Sequence, residues 1–353
     1  MTSCWFRFTF EMSSLFDITD GASAEETVMR AAVCTAYGPP DVVREADVET
    51  PTPGPDEVLV RVHAATVTAA DRAFRSGTPR FARLFSGLRR PKKTVLGTEF
   101  ADEVAAVAAA VTRFAVGDRV SGATDLGLGA HAEYVRVKES GTLSAMPAGL
   151  TYAEAATLVD GTALAFLRDH AGLHSGQSIL VNGASAAVGV QAVQLARHFG
   201  ADVTAVCSAA GADLVTRLGA NRVVDYTRTD VTKEGRTYDV VFDVAGASSY
   251  GRCRRLLKPG GRYLTTVPSL AILVQAPWTR MVGGRRAIVA FTGLRPAAAK
   301  AKDLAVVKEL FESGHLVAVV DRTVGLAHVA DAYRHLDSQG KRGTTVLLTG
   351  PLV

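Results

Sequence analysis

Ser178-Ile-Leu-Val-Asn-Gly-Ala-Ser-Ala-Ala-Val-Gly189 reads as a buried strand, a tight turn of small residues, and the start of a helix that continues over 190–199. A helix start offers unpaired backbone N–H groups and the positive end of the helix dipole, so a diphosphate can be held there without a basic side chain. Large side chains would hold the backbone away from such a ligand, and Gly183, Ala184, Ser185, Ala186, Ala187 and Gly189 are all small, with Val188 the one larger member. Against the pattern G-x-G-x-x-G, Ala184 and Ala186 fill the first two glycine positions and Gly189 the third. By itself the stretch is also compatible with a strand-to-helix turn that binds nothing. An alanine forced to positive φ there would cost about 1 kcal/mol and loosen a bound diphosphate.

Outward from this turn, the residues after 151 alternate strand and helix, with apolar runs at 179–181, 203–206, 223–224, 240–242, 263–267 and 287–291. This rhythm predicts an α/β unit, a doubly wound parallel sheet of the Rossmann type. Residues 29–150 instead place short Val-rich runs, at 58–67, 104–111, 119–121 and 132–137, between Gly and Pro, which predicts a mostly β domain. The tail predicts helices at 302–313 and 326–336 and a strand at 344–348, and residues 1–28 read as a disordered extension.

Composition is that of an ordinary globular protein, with 48% hydrophobic and 21% charged residues in 353. The net charge of +4 comes from scattered Lys and Arg, with 89–93 as the one basic cluster and no aromatic residues interleaved with it, which argues against nucleic acid. Cysteines at 4, 34, 207 and 253 form no CxxC pair, so neither a disulfide framework nor a thiolate zinc lobe is legible, and a reducing cytoplasm fits best. The longest apolar stretch, 263–279, is broken by Pro268 and Pro277, and no membrane span is predicted. His170 and His174 have helical spacing, but Gly172 intervenes, and they read as a solvated helix end.

The run at 203–206 ends in Cys207-Ser208-Ala209-Ala210-Gly211, where an NAD site places a carboxylate on the ribose hydroxyls. None is present. With Ser208 there and Tyr226 after the next strand, NADP(H) is favoured over NAD(H), although no arginine stands at the strand tip.

Further segments carry a wider resemblance. Met29-Arg-Ala-Ala-Val-Cys-Thr-Ala-Tyr-Gly-Pro-Pro-Asp-Val-Val43, Val62-His-Ala-Ala-Thr-Val-Thr-Ala-Ala-Asp71, Leu96-Gly-Thr-Glu-Phe100, Val116-Gly-Asp-Arg-Val120 and Gly129-Ala-His-Ala-Glu-Tyr-Val135 come first. Leu218-Gly-Ala220, Val224-Asp-Tyr226, Tyr238-Asp-Val-Val-Phe-Asp243 and Leu257-Lys-Pro-Gly-Gly261 follow. In this order they resemble the zinc-independent, quinone-oxidoreductase-like branch of the medium-chain dehydrogenase/reductase superfamily, from Met29 to Leu348. The resemblance implies a GroES-like catalytic domain at 29–150, a Rossmann domain at 151–294, a C-terminal return to the catalytic domain at 295–353, and a homodimer paired through the strand at 287–291. Zinc-dependent relatives carry Cys at the position of Thr68 and His at that of Thr98; hydroxyls there remove the ligands tetrahedral zinc prefers.

The resemblance further implies that Thr162, Gly183, Ala184, Ser185, Ala186, Ala187, Val188, Gly189, Cys207, Ser208, Tyr226, Gly246, Val267 and Lys341 line the cofactor channel, with Thr68 and Asp71 as catalytic candidates. Thr68 reads equally as a helix N-cap and Asp71 as a buried carboxylate tying the cleft together. Leu158-Val-Asp-Gly-Thr162 is shorter than the family's loop beside the nicotinamide, which leaves Asp160 either near the chemistry or as a cap. Segments 72–95 and 268–286 are expected to build the cleft as variable loops. The activity implied is NADPH-dependent hydride transfer to a quinone or α,β-unsaturated carbonyl without zinc. A metal-independent carbonyl reductase or alcohol dehydrogenase, an NADP(H)-binding protein with little turnover, and a membrane-associated scaffold resting on 267–282 are the alternatives.

Overall fold

The computed structural model describes residues 28–350 apart from 79, 81, 82 and 283; the extension expected at 1–28 therefore lies outside the described residues except for Val28, which opens the first strand. The first unit comprises β1 (Val28–Cys34), β2 (Val43–Glu49), β3 (Glu57–Val67), α1 (Ala69–Ser76), α2 (Arg83–Ser86), β4 (Glu99–Val107), β5 (Arg119–Ala123), β6 (Tyr134–Lys138), β7 (Thr142–Ala145) and α3 (Tyr152–Ala156). Its strands pair antiparallel, β1 with β2 as a ribbon and β3 to β7 within a larger sheet.

The second unit runs through α4 (Thr162–Leu164), β8 (Ser178–Asn182), α5 (Ala187–His198), β9 (Asp202–Cys207), α6 (Ala212–Arg217), β10 (Arg222–Asp225), β11 (Tyr238–Asp243), α7 (Tyr250–Cys253), β12 (Leu257–Thr265), α8 (Leu270–Val282) and β13 (Arg286–Val289). Its six strands are parallel in the order β10-β9-β8-β11-β12-β13. Counted from β8 this is third, second, first, fourth, fifth, sixth, the doubly wound arrangement, whose ligand crevice opens between the C-terminal ends of the first and fourth strands. The parallel strands are buried on both faces, which is why they read as continuous apolar runs in the sequence. The tail, α9 (Ala297–Glu312), β14 (Val320–Gly325), α10 (Val329–Asp337) and β15 (Thr344–Leu348), returns to the first unit: β15 pairs antiparallel with β3.

One core joins the two sheets. Ala64, Ala101 and Val346 of the antiparallel sheet belong to the same buried cluster as Val181 and Phe242 of the parallel one and Val193 of α5. Phe166 and Phe242 stack within it at 5.0 Å between ring centroids.

The segment 268–286, expected to be a cleft loop, is instead largely the thirteen-residue helix α8, which runs through Pro277. Proline removes the hydrogen bond to the carbonyl four residues back, but Leu273 and Pro277 both lie on the exposed side, where water can take the freed carbonyl. The described part of 72–95 likewise holds α1 and α2. Strand and helix limits elsewhere shift by a few residues: β4 begins at Glu99 rather than 104, and the helix expected from 302 starts at Ala297. His170 sits in the last turn of the helical segment Ala165–Ala171, closed by left-handed Gly172, and His174 lies in the loop beyond.

Candidate active site and dinucleotide cradle

Gly183 adopts φ 84°, which turns the chain out of β8, and a Cβ on it would meet that of Ala245 at 2.9 Å. The decisive contact is at Gly189: a Cβ there would lie 2.1 Å from the Gly183 carbonyl oxygen, so helix α5 can lie against the turn only with glycine in its first turn. Ala186 stands at the N-cap with φ −80°, and no side chain caps the helix. Among the described residues only Asp125 and Leu128 combine positive φ with a side chain, so neither Ala184 nor Ala186 is strained. The glycine-to-alanine replacements carry no backbone cost, and the helix start is left open to an anion.

At the end of β9, Cys207 is buried and its thiol is pushed up to about 11, first by burial and then by Asp225. Its side chain therefore packs in the core and cannot face a ribose; only its backbone serves the turn, accepting from the Tyr226 N–H at 3.1 Å. Ser208 stands half-buried at the strand tip and Tyr226 is exposed at the end of β10. Across the crevice, Gly246 (φ 62°) packs so closely on Val267 that a Cβ would meet its side chain at 2.6 Å.

The chain's return brings the two units together here. The Gly343 N–H donates to the Ser185 carbonyl at 2.8 Å, and two residues later Thr345 pairs with Val67 of β3. Thr68 follows Val67 directly, so the chain's return brings it toward the turn at 183–189 although 117 residues separate it from Ser185. Lys341, two residues before Gly343, is half-buried beside this turn, and burial, reinforced by Arg72, lowers its proton affinity.

Thr68 caps α1: its hydroxyl and N–H both donate to Asp71 Oδ2, at 2.7 and 2.8 Å, and the Asp71 N–H donates back to the hydroxyl at 3.4 Å. Asp71 Oδ1 accepts from the Gly97 N–H at 3.2 Å, and the residue is fully buried. Asp71 thus ties α1 to the loop before β4, while Thr68 stays half-buried at the cleft.

Sequence reading passed over Thr66 and Glu99. The Thr66 hydroxyl donates to Glu99 Oε2 at 2.6 Å, and burial, then the charges of Asp160 and Asp71, push the Glu99 carboxyl well above the ordinary range against the opposing Thr66 bond. Glu99 stays half-buried, enclosed by protein yet open to the cleft. The available signal was Thr66 two residues before Thr68, with an acid opening the strand that pairs with β3. Asp160 accepts from the Thr162 N–H at 2.8 Å, as a cap would, and burial raises its proton affinity too. The Thr162 hydroxyl meets that of Thr292 at 2.8 Å, a second partner outside the sequence motifs.

Comparison with known proteins matches these parts to their counterparts. The Alcohol dehydrogenase GroES-like domain family matches residues 54–148 and the Zinc-binding dehydrogenase family residues 218–347. The quinone oxidoreductase of Pseudomonas aeruginosa is 32% identical over 333 residues, 89% of this chain and 97% of that one. The chain belongs to the quinone-oxidoreductase-like branch of the medium-chain dehydrogenase/reductase superfamily. An NADPH-dependent alkenal/one oxidoreductase of Arabidopsis thaliana is 31% identical over 96% of this chain and 84% of its own length. The solved quinone oxidoreductase of Coxiella burnetii shares the fold, with TM-score 0.82 and 24% identity over 92% of this chain and all of that one.

The chain is thus an NAD(P)H-dependent oxidoreductase by family. The matched family's name mentions zinc, yet Thr68 and Asp71 bond each other and Gly97, and no group of three or more His, Cys, Asp or Glu among the described residues could hold a metal. These donors do not suit tetrahedral zinc.

Because Gly189 presses on the Gly183 carbonyl whereas Ala186 is unstrained, the two positions should respond oppositely to substitution. Calorimetric titration with NADPH should detect no binding to Gly189→Ala, while Ala186→Gly should stay within about threefold of the parent; comparable weakening by both would refute this geometry.

Proposed function

We propose that this oxidoreductase is an NADPH-dependent reductase of quinones or α,β-unsaturated carbonyls that works without catalytic zinc. The observation that carries the reading is that Gly343 and β15 tie the turn before the uncapped helix start at Ala186 to β3, whose Thr66 holds the half-buried Glu99, in a chain 32% identical to a quinone oxidoreductase. The bound nicotinamide supplies the hydride.

The chain's residues do the rest. The α5 N-terminus and the turn 183–189 hold the diphosphate, and Ser208 and Tyr226, with no carboxylate at the β9 tip, admit a ribose 2′-phosphate. Gly246, Val267, Thr162 and Lys341 border the channel. Thr68 donates its hydroxyl proton in a hydrogen bond to Asp71, which leaves its oxygen to accept from the nicotinamide ribose at the cleft. Burial, then the charges of Asp160 and Asp71, raise the proton affinity of Glu99, which suits its carboxyl to donate a proton to the reduced acceptor. Without a Lewis acid on the oxygen, an acceptor already polarised by conjugation is reduced more readily than a simple ketone. The unstrained alanines remove the motive for a cofactor-binding protein with little turnover.

We also propose a homodimer paired through the free edge of β13, the last strand of the parallel sheet, and a cytoplasmic location, in keeping with free, buried Cys34, Cys207 and Cys253.

Titration calorimetry should show NADPH binding roughly tenfold or more tighter than NADH. Absorbance at the nicotinamide band should then fall on adding 1,2-naphthoquinone, at a rate unchanged by prior EDTA treatment; failure to bind either nucleotide, or loss of the rate with EDTA, contradicts the assignment. Glu99→Gln should lower kcat roughly 10²-fold, and the parent rate, full while Glu99 is protonated, should fall as pH rises through its elevated pKa. A flat profile shared by parent and variant removes Glu99 from the proton path. Sedimentation velocity tests the dimer, with a monomer mass at micromolar concentration as the contrary result.

A further inference from the structure

The helix α8 is apolar nearly all round. Its inner side, Ile272 and Thr279, is buried, and β13 is among the elements it covers: the Thr279 hydroxyl accepts the Ala287 N–H at 2.9 Å. The opposite side carries Leu270, Val274, Trp278 and Met281, spaced by helical turns and exposed at 79%, 70%, 64% and 83%. Val282 beside them is 63% exposed. Lone exposed apolar residues are ordinary on a protein surface, but a continuous stripe with a tryptophan at its centre marks a face that meets something.

Charge indicates what that is. Between Asp243 and Asp303 the sequence contains no Asp or Glu but eleven Lys or Arg. Several are neutralised elsewhere, as Lys258 is by Asp239 and Lys300 by Asp125. Arg280 on α8, and Arg285 and Arg286 just beyond it, make no ion pair among the described residues, and Arg280 and Arg286 are exposed. An apolar stripe with a central Trp, flanked by unpaired arginines, is the pattern of a helix lying in the interface of an anionic bilayer. At thirteen residues, about 20 Å, α8 is too short to cross a membrane, and no described helix is long and apolar enough to do so.

We infer that the outward face of α8 is a docking surface for anionic lipid, with Leu270, Val274, Trp278 and Met281 entering the headgroup boundary and Arg280 and Arg286 meeting lipid phosphates or carboxylates. A second copy of the same face fits less well, because a two-fold contact would bring one acid-free surface against another. Nucleic acid also fits less well, since one aromatic among aliphatic residues makes no stacking platform. The dimer edge proposed above lies in the plane of the sheet, whereas this stripe points away from it. The inference rests on this surface and does not depend on the reductase reading.

The test is co-sedimentation of the full chain with vesicles of phosphatidylcholine alone and of phosphatidylcholine mixed with phosphatidylserine. The chain should pellet with the mixed vesicles only and be released by high salt, and Trp278 emission, read in a Trp5→Phe background, should shift to the blue. Val274→Glu with Met281→Glu should reduce partitioning roughly tenfold or more, as should Arg280→Glu with Arg286→Glu, both with NADPH binding unchanged as the check on folding. Absence of pelleting with mixed vesicles overturns the inference, as does pelleting unaffected by either double variant. A lower sedimentation coefficient for the first variant in a chain that never binds vesicles would also overturn it, reassigning the face to self-association.

Discussion

The approach of α5 to the turn before it sets the geometry on which the rest of the site depends. A helix can start so close to the end of a parallel strand only if the residue facing the turn's carbonyl has no side chain, and Gly189 meets this requirement against Gly183. That single steric constraint aims the N-terminus of α5 at the crevice between β8 and β11. The other small residues of the stretch are permissive rather than required. Gly183 needs its left-handed backbone, but Ala184 and Ala186 sit at ordinary angles, so the alanines that depart from the dinucleotide pattern put no strain on the turn.

A second dependence is topological. The end of the chain passes back along the phosphate turn, bonds Ser185 through the Gly343 N–H, and then becomes β15 beside β3. Gly343 is itself held at φ 114° with Val319 closely packed against it, so the crossing has little freedom. Through it the antiparallel sheet is registered against the parallel one, and Thr68 is delivered to the mouth of the cradle. The shared core around Phe242, Val193 and Val346 makes this registration rigid rather than a loose contact between two domains.

The cleft's electrostatics follow from the same closure. Glu99, Asp160 and Asp71 come from three separate segments, and packing them together in a poorly hydrated wall makes the simultaneous charging of all three unfavourable. Asp71 accepts from the amide and hydroxyl of Thr68 and the amide of Gly97, a role that fixes it in place. Glu99 has one hydroxyl as its bonded partner, and burial, then the charges of Asp160 and Asp71, raise its proton affinity.

The sequence by itself determined the alternation of strand and helix after 151, the division into a β-rich and an α/β unit, and the strand, tight turn and helix at 178–199, because each is encoded by short-range periodicity or by a glycine whose need is local. It carried Thr68 and Asp71 as well, though not the reason they belong together, which is a capping box with a tie to Gly97. Cys207 read as a cofactor neighbour because it ends a strand at the right distance, yet the pleat turns its side chain into the core. Segment 268–286 read as a loop because its prolines break an apolar run, whereas packing against β13 and solvent on the far side allow a helix through Pro277. Only the tertiary structure decided that Glu99 is half-buried beside Thr66 with its proton affinity raised, and that Thr292 meets Thr162. Proton affinity in a cleft depends on which distant segments remove water from a group, and no spacing along the chain records that.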